Sequence, residues 1–484
     1  MKTILSTGLF LLLVLGIMPQ SLATEDTRPN IIWIITEDMS SHFSYQGETL
    51  INTHHVDRLA REGAEFRQAY ITSPVCSPSR SGLVTGMYPS TINAHHHRSF
   101  RGTIKQVLPD SVPLIPQLFK DAGYYVSNGS SGTLNRPGKT DYNFDIPKGL
   151  YDGKDWTGRA EGQPFFAQVQ LHGGKNRGVK IDHPVNPADV ELPPQYPNDL
   201  VMLEDWAKYL NSVKHSDDEV GQILARLENE SLLENTVIMF ITDHGISHAR
   251  GKQFCYEQGI HIPFIVWAPG RVPQSVRKDF VAHIDMAATS LYFAGIPIPE
   301  DMESKPLYGP EYRTRSFVVS GRDRCDETVD RIRSVRQGDY LYIRNYHWQR
   351  PYLQPNTYKD KKAVMIRIRR LHAAGKLNAA QSLIMAESRP KEELYDVVKD
   401  PHNLHNLAGD ATHADALVSL RTTLDKWVIA SGDRAEEAEP TKVYNEDMNV
   451  YVTSQRKRRK PTDDYVQILT GNIALMKQWA SEGK

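Results

Sequence analysis

The sequence predicts an α/β protein: a large, helix-flanked, mostly parallel sheet followed by a smaller α+β C-terminal domain. Through the first two thirds, short apolar runs bounded by turn residues alternate with helical patterns, as strands and crossover helices do. Past about Thr314 the alternation gives way to shorter strand-like pieces, 316–320 (SFVVS) and 340–346 (YLYIRNY), and then to a basic helical stretch over 365–380. The expected organisation is a leader at 1–23, a large domain at 24–315 and a smaller one at 316–484.

Taken in order, Met1-Lys2-Thr3 carries one positive charge into the apolar run 9–18. That run is far shorter than the roughly 20 residues of a membrane-spanning helix. Small residues in Ser21-Leu22-Ala23 place a cleavage after Ala23, so the segment reads as a secretory signal. The protein is expected to be exported, periplasmic or secreted, without a stable membrane anchor. Residues 30–36 (NIIWIIT) form the first buried strand, and 56–63 (VDRLAREG) a short helix ending on Gly63. Residues 165–171 (FFAQVQL), 236–242 (TVIMFIT) and 262–267 (IPFIVW) read as further strands. Between them, Trp206, Leu210, Val213, Val220, Ile223, Leu224 and Leu227 share one face of a helix over 203–227.

Composition excludes more than it identifies. There are 57 Lys plus Arg against 58 Asp plus Glu, a formal charge of -1, so charge balance points to no nucleic-acid partner. Apolar content of 40% and charged content of 24% exclude disorder and collagen-like architecture. Three cysteines, Cys76, Cys255 and Cys325, allow at most one disulfide. The basic run 456–460 (RKRRK) reads as a solvated surface segment.

The strand ends carry the chemistry. Residues 30–36 run into Glu37-Asp38, and 236–242 into Asp243-His244-Gly245. In a parallel sheet both ends open on the same edge, where ligand crevices form. Three carboxylates and an imidazole meeting there would repel one another without a cation between them. So oxygen-rich a set suits Ca²⁺ or Mg²⁺ better than zinc. Cys76-Ser77-Pro78-Ser79-Arg80 precedes Ser81 to Gly86; Pro78 in the first turn and Gly86 at the far end fit a short helix. Cys76 would then stand at the helix N-terminus, where backbone N–H groups favour an anion. On these residues alone a reactive thiol and a buried structural one both stay open.

These residues resemble the signature C-x-P-S-R-x-x-x-L-x-T-G of type I sulfatases, differing in the spacing before Leu83. The resemblance extends to Arg28-Pro29-Asn30-Ile31-Ile32 with Glu37-Asp38, to Val56-Asp57-Arg58-Leu59-Ala60, and to Asp243-His244-Gly245 with Gly251-Lys252 and Tyr256-Glu257. Glu393-Leu394-Tyr395-Asp396 with Asp400-Pro401 and Asn406-Leu407 resembles the family's C-terminal segment. It implies an alkaline-phosphatase-like fold and a sulfatase acting on an exported sulfated carbohydrate. It also implies formylglycine made from Cys76 by a formylglycine-generating maturation enzyme, whose hydrate attacks the sulfur.

Carried onto this sequence, the resemblance implies metal ligands Glu37, Asp38, Cys76, Asp243 and His244 around calcium, with magnesium as the alternative. Glu37 stands where Asp is usual, and His244 where Asn is more common. Arg80 is expected to hold the nucleophile and a sulfate oxygen, and Lys252 and Lys139 to grip the sulfate. Where the family has two catalytic histidines, this chain has Asp141 and Lys175. His248, between Asp243 and Lys252, is therefore the preferred general acid, since imidazole titrates nearest neutral pH. Of His95-His96-His97, one ring, His95 or His97, is expected to border the nucleophile, and Arg322 to touch a polar or acidic sugar. The C-terminal domain is expected to complete the substrate site. Two other readings share these residues: a phosphatase or phosphodiesterase of the same fold, and a silent protein that only binds sulfated glycans.

Overall fold

The computed structural model describes residues 28–434, 437–460 and 463–484; the leader expected at 1–23 lies outside them. Strand β1 (Asn30–Thr36) is buried at every position, and Ile31 to Ile35 are at most 1% exposed. Each such side chain contributes roughly 1.5–3 kcal/mol by leaving water. Around β1 are β2 (Ala64–Tyr70), β3 (Tyr125–Ser130), β4 (Arg136–Pro137), β5 (Phe165–Gln170), β6 (Thr236–Thr242), β7 (Phe264–Trp267) and β8 (Ser275–Ala282). They form one eight-stranded sheet in the order β4-β3-β5-β1-β6-β7-β2-β8.

Pairing is parallel between β3, β5, β1 and β6, and again between β2 and β8. The run at 262–267 departs from the parallel expectation, because β7 is antiparallel to both β6 and β2. A parallel neighbour needs a crossover that returns the chain to the opposite edge. The segment joining β6 to β7 holds only the four-residue helix Glu257–Ile260, and the chain re-enters from the edge it left.

The helix expected over 203–227 spans Leu200–Asn229, and all seven of its predicted apolar positions are buried. Asp199 caps it by accepting from Val201 N–H and also ion-pairs with Arg367. The basic stretch expected over 365–380 is two helices, Ala363–Ala373 and Ala379–Ser382, separated at Gly375, which has φ +65°.

Strands β9 (Val318–Arg322), β10 (Ile332–Gln337), β11 (Tyr340–Asn345) and β12 (Glu392–Asp396) form a separate antiparallel sheet, order β12-β11-β10-β9. Helix Ala414–Ser431 buries Leu417, Leu420, Leu424 and Val428, one face at helical spacing. Gly321 N–H donates to Thr72 O at 2.9 Å, and Ser320 Oγ to Ile71 O, tying β9 to the loop that leads into the cysteine helix. Two last helices, Thr441–Arg458 and Tyr465–Ser481, pack through Tyr444, Met448 and Met476.

Candidate active site

The register of β1 and β6 builds the site. Asn30 pairs with Thr236 and Thr36 with Thr242, so the strands end level and Glu37-Asp38 emerges beside Asp243-His244. Asp38 turns back at once, with φ +55°, and its N–H donates to Asp243 Oδ1 at 3.2 Å. The loop after β5 lies flat on this turn: a Cβ on Gly173 would stand 2.3 Å from Glu37 O, so only glycine fits. That close approach delivers Lys175.

Helix Cys76–Thr85 is buried throughout and ends on Gly86 at φ +69°. Ser79 Oγ donates to Asp243 O at 2.6 Å, locking the helix to the end of β6. Cys76 Sγ consequently lies 3.1 Å from His244 Nε2 and receives Lys252 Nζ at 3.1 Å. Burial alone would raise the thiol's pKa; Lys139 and Lys252 outweigh it and bring it to about 7.

Charges alternate around the sulfur. Lys252 Nζ donates to Asp38 Oδ1 at 3.0 Å, and His244 Nε2 is 3.2 Å from the same oxygen. Arg80 Nη2 bridges Glu37 Oε1 (3.0 Å) and Asp243 Oδ2 (3.2 Å), while its Nη1 donates to Gln170 Oε1 at 2.5 Å. Lys139 Nζ lies 3.0 Å from Glu37 Oε1, and Lys175 Nζ 3.0 Å from Glu37 Oε2. Burial works against ionising Glu37 and Asp38, but these cations hold both carboxyls well below the usual range. The carboxylates the sequence brings together are thus separated by side-chain cations.

Glu37, expected among metal ligands, has both oxygens engaged by Arg80, Lys139 and Lys175. Asp38 Oδ2 is buried with no hydrogen-bond partner. Ligand atoms of Asp38, Cys76 and His244 lie within 4.8 Å of one another. An orphaned carboxylate oxygen beside a second carboxylate and one imidazole fits a hard divalent cation.

The remaining predicted residues separate. Asp141, at φ +50°, is 3.7 Å from Lys139 Nζ and 3.1 Å from Arg101 Nη2. His97 borders the nucleophile helix: its Nδ1 is 2.7 Å from Ser77 Oγ, and burial keeps the ring neutral. His95 instead lines a small internal cavity with Asp323 and Arg333. His248 packs against Tyr196 and Trp206 at ring separations of 4.2 and 5.7 Å, and neither ring nitrogen has a hydrogen-bond partner. Burial lowers its pKa to about 3, so at neutral pH it has no proton to give as an acid. Arg322 is buried on Asp330, which also receives Arg389 at 2.8 Å, so it faces the C-terminal core and not a sugar.

Sequence reasoning passed over Gln170, which orients Arg80, and Arg98 and Tyr451, which line a cavity beside Asp141. Arg98 sits immediately after the three histidines, a signal masked by the more conspicuous rings. All three cysteines are free thiols in the structure.

A profile of the family described as Sulfatase matches residues 29–296, spanning β1, the cysteine helix and the loop carrying Lys252. The chain belongs to the sulfatase family. A second profile, N-sulphoglucosamine sulphohydrolase, C-terminal, matches residues 244–350 of this sulfatase. An "Ulvan-active sulfatase" of Formosa agariphila is 32% identical, covering 93% of this chain and 82% of its own length. The human "N-sulphoglucosamine sulphohydrolase" is 25% identical over 86% of this chain and 92% of its own. Among solved structures, a "2-O GAG sulfatase" superposes with a TM-score of 0.61 at 20% identity, covering 86% of this sulfatase and 96% of that chain, which shows the alkaline-phosphatase-like fold. The sulfatase is accordingly a hydrolase of sulfate esters. Among the described residues no helix is long and apolar enough to cross a membrane.

Proposed function

We propose that this sulfatase removes sulfate from a sulfated polysaccharide outside the cytoplasm, using residue 76, oxidised from cysteine to formylglycine by a maturation enzyme, as nucleophile. The observation that carries this reading is the placement of Cys76 Sγ 3.1 Å from both Lys252 Nζ and His244 Nε2, at a helix N-terminus. Asp38, Asp243, His244 and residue 76 would hold a calcium or magnesium ion. The ion and the formylglycine would supply Lewis-acid charge dispersal and a hydroxyl nucleophile.

This chain's own side chains do the rest. Lys252, 3.1 Å from residue 76, and Lys139, whose charge also acts on it, bind the sulfate and neutralise charge that grows as the ester bond breaks. Arg80, fixed by Glu37, Asp243 and Gln170, keeps its positive charge close enough to act on the nucleophile. Lys175 takes the general-acid role in place of His248, giving its proton to the departing alcohol. Its side chain is 43% exposed, whereas His248 is fully buried between Tyr196, Trp206 and the Asp205 carboxylate, 3.7 Å from its Nε2. Asp141, between Lys139 and Arg101, accepts a proton from the nucleophile side.

The relative named as ulvan-active makes algal sulfated polysaccharide the first substrate to try, and glycosaminoglycans the second. The test is free-sulfate release from oligosaccharides of both classes, paired with mass analysis of the Cys76 peptide. Sulfate release together with a peptide lighter than encoded and carrying a trappable aldehyde is expected. Release from none, or full activity with an unmodified thiol, sinks the reading.

A further inference from the structure

Beside the nucleophile, a cavity of about 430 Å³ opens between the loop after the cysteine helix and helix Thr441–Arg458. Arg98, Arg101, Asp141, Asp326, Tyr451 and Arg458 line it. It connects to the site on two sides. Ser77, adjacent to Cys76, contacts His97 Nδ1, and His97 Nε2 lies 3.8 Å from Asp326 Oδ1, which also faces Arg98 Nη1 at 3.5 Å. On the other side Asp141 is 3.7 Å from Lys139 Nζ. Arg98, Asp141 and Asp326 all hold φ between +50° and +57°, a backbone conformation that ordinary side chains avoid and that clusters at functional sites.

Cationic donors here exceed what the protein uses. Each guanidinium offers five N–H donors. Arg98 makes one long contact, to Asp326, and Arg101 gives Nη2 to Asp141 and Tyr142 O. Arg458 has no acidic partner among the described residues and ends the helix that forms the outer wall. Helix Thr441–Arg458 is held against the loop, since Asp447 accepts from Phe100 N–H and Arg101 N–H at 3.1 and 2.7 Å. Tyr451 is fixed by a 2.8 Å hydroxyl contact with Tyr465. The arginines are thus mounted on a built wall.

We propose that this cavity receives the sugar next to the sulfated one, and that Arg98 and Arg458, assisted by Arg101, grip a second anionic group on it, a carboxylate or a further sulfate ester. Planar guanidinium forks match both anions, and a neutral hydroxyl offers neither the opposite charge nor the second acceptor oxygen of a bidentate pair. The proposal rests on the sulfatase reading above and narrows its substrate to a polymer with anionic groups on adjacent sugars. It also gives Arg458, within the basic run 456–460, a ligand to bind.

Sulfate release is measured at fixed ionic strength from three disaccharides: one with a carboxylate on the neighbouring sugar, its carboxyl-reduced alcohol, and that alcohol bearing a second sulfate. At least one anionic substrate should exceed the neutral one in kcat/KM by about tenfold, the scale of one charge-assisted contact. Arg98→Ala and Arg458→Ala should each cut that preference severalfold, mainly through KM, at wild-type melting temperature. The two anionic arms identify the anion. Equal kcat/KM on all three substrates, or a preference that survives both substitutions, overturns the proposal. Calorimetry with the sulfate-free, carboxylate-bearing disaccharide separates the two readings. If no substrate releases sulfate, the sulfatase reading fails, while binding that weakens in Arg458→Ala still supports the subsite and absent binding overturns it.

Discussion

Lys175 Nζ stands 3.0 Å from Glu37 Oε2, while the other oxygen of that carboxylate takes Arg80 and Lys139 at 3.0 Å each. One buried acid at the end of β1 therefore gathers three cations. Removing its charge leaves Arg80 with Asp243 and Gln170, Lys139 with only the longer 3.7 Å contact to Asp141, and Lys175 without the carboxylate that holds it. Glu37→Gln should destabilise the fold by about 3 kcal/mol, at the low end for a broken buried pair because Lys175 and Lys139 are partly exposed. It should lower kcat/KM by about a hundredfold, while Glu37→Asp recovers most of the melting temperature. Thermal melts alongside initial rates check this; a Gln variant with unchanged stability and rate refutes the anchoring role.

Lys175 itself tests the assignment of the proton donor. Its side chain is 43% exposed, so Lys175→Ala should cost less than about 1 kcal/mol of stability. Loss of a general acid lowers turnover by about 10²–10⁴-fold when the leaving alcohol is basic. The loss should shrink to a few-fold on an aryl sulfate, whose phenolate departs without help. Equal losses on both ester types would assign Lys175 to binding instead.

His248 should behave in the opposite way. Burial lowers its pKa to about 3, so the ring is neutral across the working range and packs as an aromatic. His248→Phe keeps that packing and should leave both limbs of the pH–rate profile in place, with kcat within about threefold. A limb that disappears in this variant restores His248 as the acid.

The contrast between these residues shows how far the sequence could be read. Strands β1 and β6 were legible because two apolar runs fully buried in a parallel sheet leave an unambiguous pattern, and their acidic ends followed from the register. Helix Leu200–Asn229 was legible from a face of seven apolar positions. Strand β2 (AEFRQAY) was not, since Arg67 and Gln68 interrupt its apolar pattern, nor was β3 (YVSNGS), whose buried Ser127 and Asn128 look like turn residues. His248 and Arg322 misled for one reason: residue type and spacing along a loop do not tell which wall a side chain meets. An imidazole in an aromatic pocket and an arginine on buried Asp330 have the same sequence signature as a catalytic pair.

Stability should fall as pH rises on account of Glu219. Burial raises its pKa to about 7, against an ordinary 4.5, and Oε2 has no partner while Oε1 accepts from Gly132 N–H at 3.3 Å. Between these two values the folded state holds a proton that the unfolded chain has released, so unfolding becomes easier with each pH step and levels off above pH 7. The full cost is about 3 kcal/mol as an upper scale. Glu219→Gln keeps the acceptor and removes the ionisation. Its melting temperature should match wild type near pH 5 and exceed it near pH 8; a constant difference across that range would rule out the linkage.

Asp38 Oδ2, buried and without a partner, makes metal removal informative even apart from turnover. Asp38 Oδ1 meets Lys252 and His244, so Oδ2 is the oxygen that would be available to a divalent ion. Binding only the folded state, calcium at a hundredfold above its Kd should stabilise by about 2.7 kcal/mol. Chelation should therefore lower the melting temperature and abolish sulfate release, and calcium should restore both in wild type. In Asp38→Asn, which keeps the shape and loses the charge, the calcium-dependent rise in melting temperature should be much reduced. Full activity and an unshifted melt after exhaustive chelation would show that Lys252, Lys139 and Arg80 suffice without an ion.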